Sequence, residues 1–336
     1  MIAVGAQRGL ELRVGWGQYG VMRAWLKRLY HETDWGSRAL FPLVQARAWL
    51  QGGWRSDRSV IAATFRRTFG YDLDWANPRT LNEKMNWLKL HYRPPLQTVV
   101  ADKYAVRDFV RERVGERYLI PLLRVYDRAE DIRLAELPSA FVLKVNHGSG
   151  QNWIVRDKIR EDERQIIRVF RQWLRTSHYL ASREWPYKNI RPRIVAEELL
   201  RDETGGIPPD FKFHCFAGKV ATIQVDLDRE TAHRRNFYDR DWALQPFIWT
   251  EWEGDTPSWP NGRAVSRPIQ LPEMIQVAET LAVGFPYVRI DLFCCQNRVY
   301  FGEVTFYHGG GFERFAPAEY DLHFGDLLRL PPATKA

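Results

Sequence analysis

Apolar residues recur along this chain with two periods, and the change between them falls near residue 139. Before it, the steps are of three and four residues, as amphipathic helices require. In GWGQYGVMRAWLKRLY, residues 15–30, Val21, Met22, Trp25, Leu26, Leu29 and Tyr30 share one helical face, and Arg23, Lys27 and Arg28 take the other. Further helices are predicted over 40–50, 56–70 and 81–90. The last is bracketed by Asn77-Pro78 and Pro94-Pro95, which stop a helix on either side. Another is predicted over 99–115, with Val106, Phe109, Val110 and Val114 as its buried stripe. Beyond 139 the period shortens towards two. AFVLKV reads as a buried strand, NHGSGQN as a loop and WIVRDK as a return strand, followed by helix over 160–180. RIVAEELL is a short apolar strand carrying two acids. DFKFHCFAGKVATIQVDLD is a hairpin turning at Ala217-Gly218-Lys219, and LPEMIQVAETLAVGF is a helix beginning at Pro272. A second hairpin, YVRIDLFCCQNRVYFGEVT, completes the series. Mixed helices and antiparallel hairpins without repeats predict an α+β fold.

That second hairpin carries charge in its most apolar parts. Centred on Asn297, it sets Asp291 opposite Glu303 and Arg289 opposite Thr305 on one side of the ribbon. Directly opposed carboxylates repel one another. A hard divalent cation such as Mg2+, which takes oxygen ligands, would reconcile them. The alternative is a face on which both acids point to water.

Lys144 lies inside the apolar run FVLKV and needs an anionic partner there. Gly148, Ser149 and Gly150 follow in the loop. Glycines let a backbone approach a phosphate closely, although the spacing is not that of a P-loop. A plain tight turn is the competing reading. Glu197, Glu198 and Leu200 form an apolar edge that suits either an adenine or solvent. Asp210, Lys212 and His214 alternate and so share a face, with Asp210 suited to ribose hydroxyls and Lys212 to phosphate. His147 and His308 suit an acceptor, while His147 is equally suited to capping its own loop.

Charge refines this picture. Residues 1–70 hold eleven Lys or Arg against four Asp or Glu, so nearly all of the net +8 lies there. The 15–30 helix is compatible with an anionic membrane surface or with packing on its own domain. No basic module for nucleic acid is present. No apolar run reaches the length of a membrane span, and no secretory leader is expected. Three cysteines, two of them adjacent, do not make a disulfide framework, and a cytoplasmic location is expected. No Cys/His spacing matches a zinc site.

The order of these features resembles the ATP-grasp superfamily: a lysine on a helix (Lys103, in DKYAVRDF), a strand lysine (Lys144), a glycine loop, an acidic hinge strand and a final hairpin. The segments TLNEKMNWLKL, DKYAVRDFV, FVLKVNHGSG, SREWPYKNI, RPRIVAEELL, DFKFHCFAGK, HRRNFYDRDW and GEVTFYHGGGF narrow the resemblance. Over about 75–330 they resemble TupA-like ATP-grasp proteins of teichuronopeptide and cell-surface polysaccharide biosynthesis. The resemblance implies two α+β subdomains that grip ATP, preceded by a basic helical extension over 1–75. A helical part would span 76–138, a phosphate-loop subdomain 139–200 and a metal-binding catalytic subdomain 201–330. It implies ATP and Mg2+ as cofactors. Lys103 and Lys144 would meet phosphates, Glu197 to Leu200 adenine, and Asp291 and Glu303 the metal. Thr305 stands where the family often has a metal-binding asparagine. Arg289 would stabilise charge during acyl transfer, and Arg235 and Asn236, in HRRNFYD, would contact γ-phosphate or substrate. The implied activity joins a small carboxylate to an amine or related nucleophile through an acyl phosphate. The acceptor would be free, or part of a polysaccharide or lipid-linked glycan at the inner face of the membrane. A glycosyltransferase-type enzyme and a nucleotide-binding assembly factor are the rival expectations.

Overall fold

The computed structural model describes residues 55–228 and 232–333; the segments predicted as helices over 15–30 and 40–50 lie outside these. In chain order the helices are α1 (Asp57–Phe69), α2 (Leu81–His91), α3 (Pro95–Ala101), α4 (Val106–Arg113), α5 (Glu163–Leu174), α6 (His178–Ser182), α7 (Leu271–Ala282) and α8 (Glu319–Leu327). The strands begin with β1 (Leu122–Tyr126), β2 (Phe141–Val145), β3 (Asn152–Val155) and β4 (Ile194–Glu198). They continue with β5 (Asp210–Phe216), β6 (Lys219–Leu227), β7 (Arg234–Tyr238), β8 (Ile248–Thr250), β9 (Trp252–Glu253) and β10 (Thr256–Pro257). The last three are β11 (Tyr287–Cys295), β12 (Arg298–Thr305) and β13 (Arg314–Ala316). The chain divides into two compact units. Of the described residues, unit 1 comprises 55–60, 122–183 and 187–199, and unit 2 comprises 61–121, 184–186, 200–228 and 232–333.

Unit 1 is built on an antiparallel sheet of order β1-β4-β2-β3. Alternation sends Phe141, Leu143 and Val145 of β2 and Ile194 and Ala196 of β4 into a core shared with Ile166 and Phe170 of α5. The intervening Lys144, Val195 and Glu197 therefore occupy the other face. Asp162 caps α5, its side chain accepting from the Arg164 amide at 2.9 Å.

Unit 2 holds a five-stranded antiparallel sheet of order β12-β11-β5-β6-β7. Its hairpin between β5 and β6 turns at Ala217 and Gly218, as predicted, both at positive φ. One face of the sheet is apolar: Phe211, Phe213, Ile223, Val225, Ile290 and Leu292 are all buried. Helix α7 packs on this sheet through Met274, Val277, Ala278 and Leu281. The opposite face is polar, yet equally enclosed. Helix α2 begins with a capping box, Thr80 and Glu83 each bonding the other's backbone amide. The single helix expected over 99–115 is broken. The Asp102 carboxylate accepts from the amides of Tyr104 (2.8 Å) and Ala105 (3.3 Å), which closes a turn between α3 and α4. Lys103 therefore lies on a turn and not on a helix.

Candidate functional site

The β11–β12 hairpin has the expected functional register: Asp291 pairs with Glu303 and Arg289 with Thr305. The turn differs from the one expected. Gln296 and Asn297 both adopt positive φ, and Cys295 pairs with Arg298, so the turn is centred half a residue before Asn297. One extra residue on β12, Gly302, offsets that difference between the Leu292–Phe301 pair and the Asp291–Glu303 pair. It also puts Phe301 on the apolar face and Glu303 on the polar one, though they are two apart.

Across the sheet, Glu303, Asp291, Lys212 and Gln224 fall in one row. Arg289 is bidentate on Asp291, its Nε and Nη2 donating at 2.7 Å each, and Nη2 also reaches Glu303 at 3.2 Å. Lys103 lies 3.2 Å from the other Glu303 oxygen. Lys212 contacts Asp210, lies 3.2 Å from Asp226 and stands 4.0 Å from Asp291. Arg235 continues the network. Its Nε donates to Asp226 at 3.0 Å, and its Nη1 donates to Glu313 at 2.9 Å and to the Trp249 carbonyl at 3.0 Å. His308 closes it, with Nδ1 2.8 Å from Arg289 and Nε2 3.0 Å from Glu313, the latter outside hydrogen-bond alignment. Arg289, Asp291, Lys212, Asp226, Arg235, Glu313 and His308 thus form a closed ring of polar contacts.

Burial and neighbouring charge push these groups apart. Burial, with Glu303 opposite, raises the Asp291 carboxyl above the usual carboxylate range against the pull of Arg289 and Lys212. Burial acts on Glu303 in the same sense, but Lys103 and Arg289 outweigh it and hold that carboxyl low. The two acids of the hairpin are therefore not equivalent. Burial also opposes charge on Arg289, and Asp291 and Glu303 overcome it, so the guanidinium is held more firmly charged than in water. His308 is driven well below its ordinary value by burial and then by Arg289 and Arg235. His214 is driven down by burial, His308 and Arg289.

The donor set fits a hard divalent ion. Asp291 and Glu303 offer carboxylate oxygens from one row, and each oxygen retains a lone pair beyond its nitrogen partner. Magnesium is commonly held by one or two carboxylates, with phosphate and water completing its shell. Among the described residues, no group of three or more His, Cys, Asp or Glu is gathered for a metal.

Unit 1 carries a smaller set. Lys144 finds its anion within the protein: it pairs with Glu197, two positions along β4 from its cross-strand neighbour Val195. Glu198 is exposed, and Leu199 is the last residue of the unit. Leu200 opens the next stretch of unit 2, where it is partly buried. Ser149 and Gly150 are exposed, with Gly150 at positive φ, while Gly148 is buried. Asn146 fixes the loop, accepting from the Arg193 amide at 2.7 Å and donating to the Arg191 carbonyl at 3.0 Å. His147 is 4% exposed, with its Nε2 at 3.2 Å from the Thr176 carbonyl and its Nδ1 at 3.3 Å from Asn146. That places it within its loop's own bonding.

The structure thus gathers Lys103, Asp210, Lys212, Arg235, Arg289, Asp291 and Glu303 in unit 2, with Thr305 beside them in register with Arg289. It gathers Lys144, the glycine loop and Glu197 in unit 1. Asp226 and Glu313 were not singled out from the sequence. Asp226 had a signal, since Thr222, Gln224 and Asp226 alternate along β6; Glu313 had none.

A family model described as TupA-like ATPgrasp matches residues 83–329. Among curated proteins, no sequence matches this chain. Solved structures similar to it include an L-amino acid ligase from Bacillus licheniformis, at 13% identity and TM-score 0.41, covering 77% of this chain and 57% of that one. A D-alanine–D-alanine ligase from Bacillus anthracis, complexed with ATP, has 16% identity and TM-score 0.34, covering 62% and 53%. The ATP-grasp ligase PsnB, solved with a variant precursor, Mg and ADP, has 13% identity and TM-score 0.37, covering 70% and 60%. This chain therefore spans little more than half the length of these ligases.

Proposed function

The chain belongs to the TupA-like ATP-grasp family, and on that premise we propose that it is an ATP- and Mg2+-dependent ligase. It joins a carboxylate, such as that of a uronic acid or an amino acid, to an amine or related nucleophile during cell-surface polysaccharide synthesis. A carboxylate oxygen attacks the γ-phosphorus of ATP, the bond to ADP breaks, and an acyl phosphate forms. The nucleophile then attacks the acyl carbon, and phosphate leaves with the electrons of the C–O bond. Bound Mg2+, taken by Asp291 and Glu303 with Thr305 alongside, would offset phosphate charge. Lys103, Lys212 and Lys144 are assigned to phosphate oxygens, and Asp210 to the ribose hydroxyls. Arg289 faces the oxyanion that develops when the nucleophile adds. Arg235 is assigned to γ-phosphate or substrate, and Gly148, Ser149 and Gly150 to backbone contact with phosphate. Glu197, Glu198 and Leu200 are assigned to adenine, and His147 to an acceptor contact at the edge of its loop.

The observation that carries this reading is the Asp291–Glu303 pair, opposed across a strand boundary with Arg289 between them. No helix among the described residues is long and apolar enough to cross a membrane. The test is purified protein with Mg-ATP and a panel of uronic acids and amino acids, following ADP and phosphate. Release that needs both a carboxylate and an amine is expected. Turnover of a sugar nucleotide without ADP release would overturn the reading in favour of glycosyl transfer.

A further inference from the structure

Behind Arg289 stands a pair that the ligase mechanism does not use. Three successive glycines, Gly309, Gly310 and Gly311, take positive φ of 54°, 61° and 69°, a left-handed run that other residues resist. The chain reverses there, so that His308 and Glu313 face each other. A Cβ on Gly309 would sit 2.3 Å from the Glu313 Cγ, so this position admits Glu313 only while it is glycine. The turn is held from α2: Asn86 donates to the Gly311 carbonyl at 2.8 Å, Asn82 donates to the Glu313 carbonyl at 2.9 Å, and Lys89 donates to the Gly310 carbonyl.

The ring nitrogens of His308 can be assigned. A guanidinium only donates, so Nδ1, 2.8 Å from the Arg289 Nη1, must accept. A neutral ring then carries its proton on Nε2, the nitrogen facing Glu313. The same Glu313 oxygen accepts from Arg235. Both residues are buried, His308 at 2% and Glu313 at 3% exposure, and each spends its contact on a guanidinium, His308 on Arg289 and Glu313 on Arg235.

We infer that His308 and Glu313 are a positioning pair: His308 holds Arg289 from behind through Nδ1, and Glu313, which accepts from Arg235, faces the other side of that imidazole. Each thereby anchors one of the two buried guanidinium groups. Arg289 retains Nε and Nη2 for the acids while Nη1 is anchored. This role rests on the ligase reading for its kinetic consequence, but not for its geometry.

Two measurements test it. In 15N-labelled protein at neutral pH, the His308 ring, assigned by its loss in His308→Phe, should show an unprotonated Nδ1 and a protonated Nε2. The opposite tautomer, or a doubly protonated ring, overturns the inference. In kinetics, asparagine places an acceptor where Nδ1 stood, whereas glutamine reaches the Nε2 side. His308→Gln and His308→Phe should lower kcat for ADP release by about 100-fold through a misplaced Arg289, with KM for ATP unchanged. His308→Asn should recover most of it. Equal losses in His308→Asn and His308→Gln, or losses that merely follow melting temperature, would mean a structural role only. Absence of carboxylate- and amine-dependent turnover in the unmodified protein would overturn the ligase reading alone, and the ring nitrogens would then decide the positioning pair.

Discussion

On its sheet, unit 1 pairs Lys144 with Glu197, whereas unit 2 strings its buried charges into a ring that crosses four strands. The two arrangements answer the cost of desolvation differently. Replacing both partners of an ion pair together avoids the unpaired charge that either single replacement leaves. A ring is over-connected: each member contacts two neighbours and every charged member faces at least one opposite charge, so no charged member leaves without stranding another. The difference implies that unit 1 tolerates the conversion of its pair to apolar residues, and that unit 2 tolerates no such change anywhere on its polar face.

The largest effect expected is therefore on Arg235. Arg235→Met strands Glu313 in the interior, takes from Asp226 one of its cations, and should cost about 4 kcal/mol of unfolding free energy, measured by denaturant titration. A loss below about 1 kcal/mol would mean that the ring is not energetically connected. Next are the hairpin acids. Asp291→Asn and Glu303→Gln preserve shape and should lower Mg-dependent turnover by about 100-fold or more; Glu303→Gln, outside the ring, should do so with little change in melting temperature, while Asp291→Asn also lowers it by depriving Arg289 of its bidentate partner. Intact turnover in both would make the hairpin structural. In unit 1, Lys144→Met should cost about 2 kcal/mol, because Glu197 loses its cation. The double variant Lys144→Met, Glu197→Met should restore stability to near that of the parent while abolishing ATP binding. A double variant as unstable as the single one would erase the contrast between the units.

The smallest effect is on pH dependence. Burial holds His214 and His308 well below their ordinary value. The unfolded chain therefore takes up their protons first as pH falls below about 6.5. Their contribution to stability is full above that value and is lost on acidification. Asp291 acts in the opposite sense, since its raised value favours the folded state as it protonates. The clean measurement is a difference. Between pH 6.5 and 5.5, His214→Gln should remove about 1 kcal/mol from the fall of stability with pH. An unchanged slope would show that the imidazole is protonated in the fold. Amide exchange should place the effect in the five-stranded sheet and not in the four-stranded one.

Much of this was legible in the sequence, for identifiable reasons. The β12 apolar positions Val299, Phe301 and Val304 step by two and then by three across Gly302, and that irregular step is the written form of the bulge. The break at Asp102 was hidden because the apolar stripe of α4 continues the phase of the preceding residues; only the Asp102 side chain, accepting from two amides, reveals the turn. The partner of Lys144 was sought in a ligand, although alternation alone places Glu197 on the same face. The juxtaposition of His308 and Glu313 was not legible, because it depends on which way three left-handed glycines turn the chain. Residue type states that such a turn is permitted, but not where it leads.

Gly302 has one more consequence. Removing it would leave Leu292 opposite Phe301 and Asp291 opposite Glu303, since those pairs are already successive along β11. The extra residue is thus not needed to decide who faces whom. What a bulge adds is local bend and twist, and here it adds them at the two acids themselves. A side chain there would come within 2.9 Å of the Phe293 ring and 3.1 Å of the Asp291 carbonyl. Pairing and aim are therefore written in separate residues, and the direction in which the acids point can be retuned without changing a single partner.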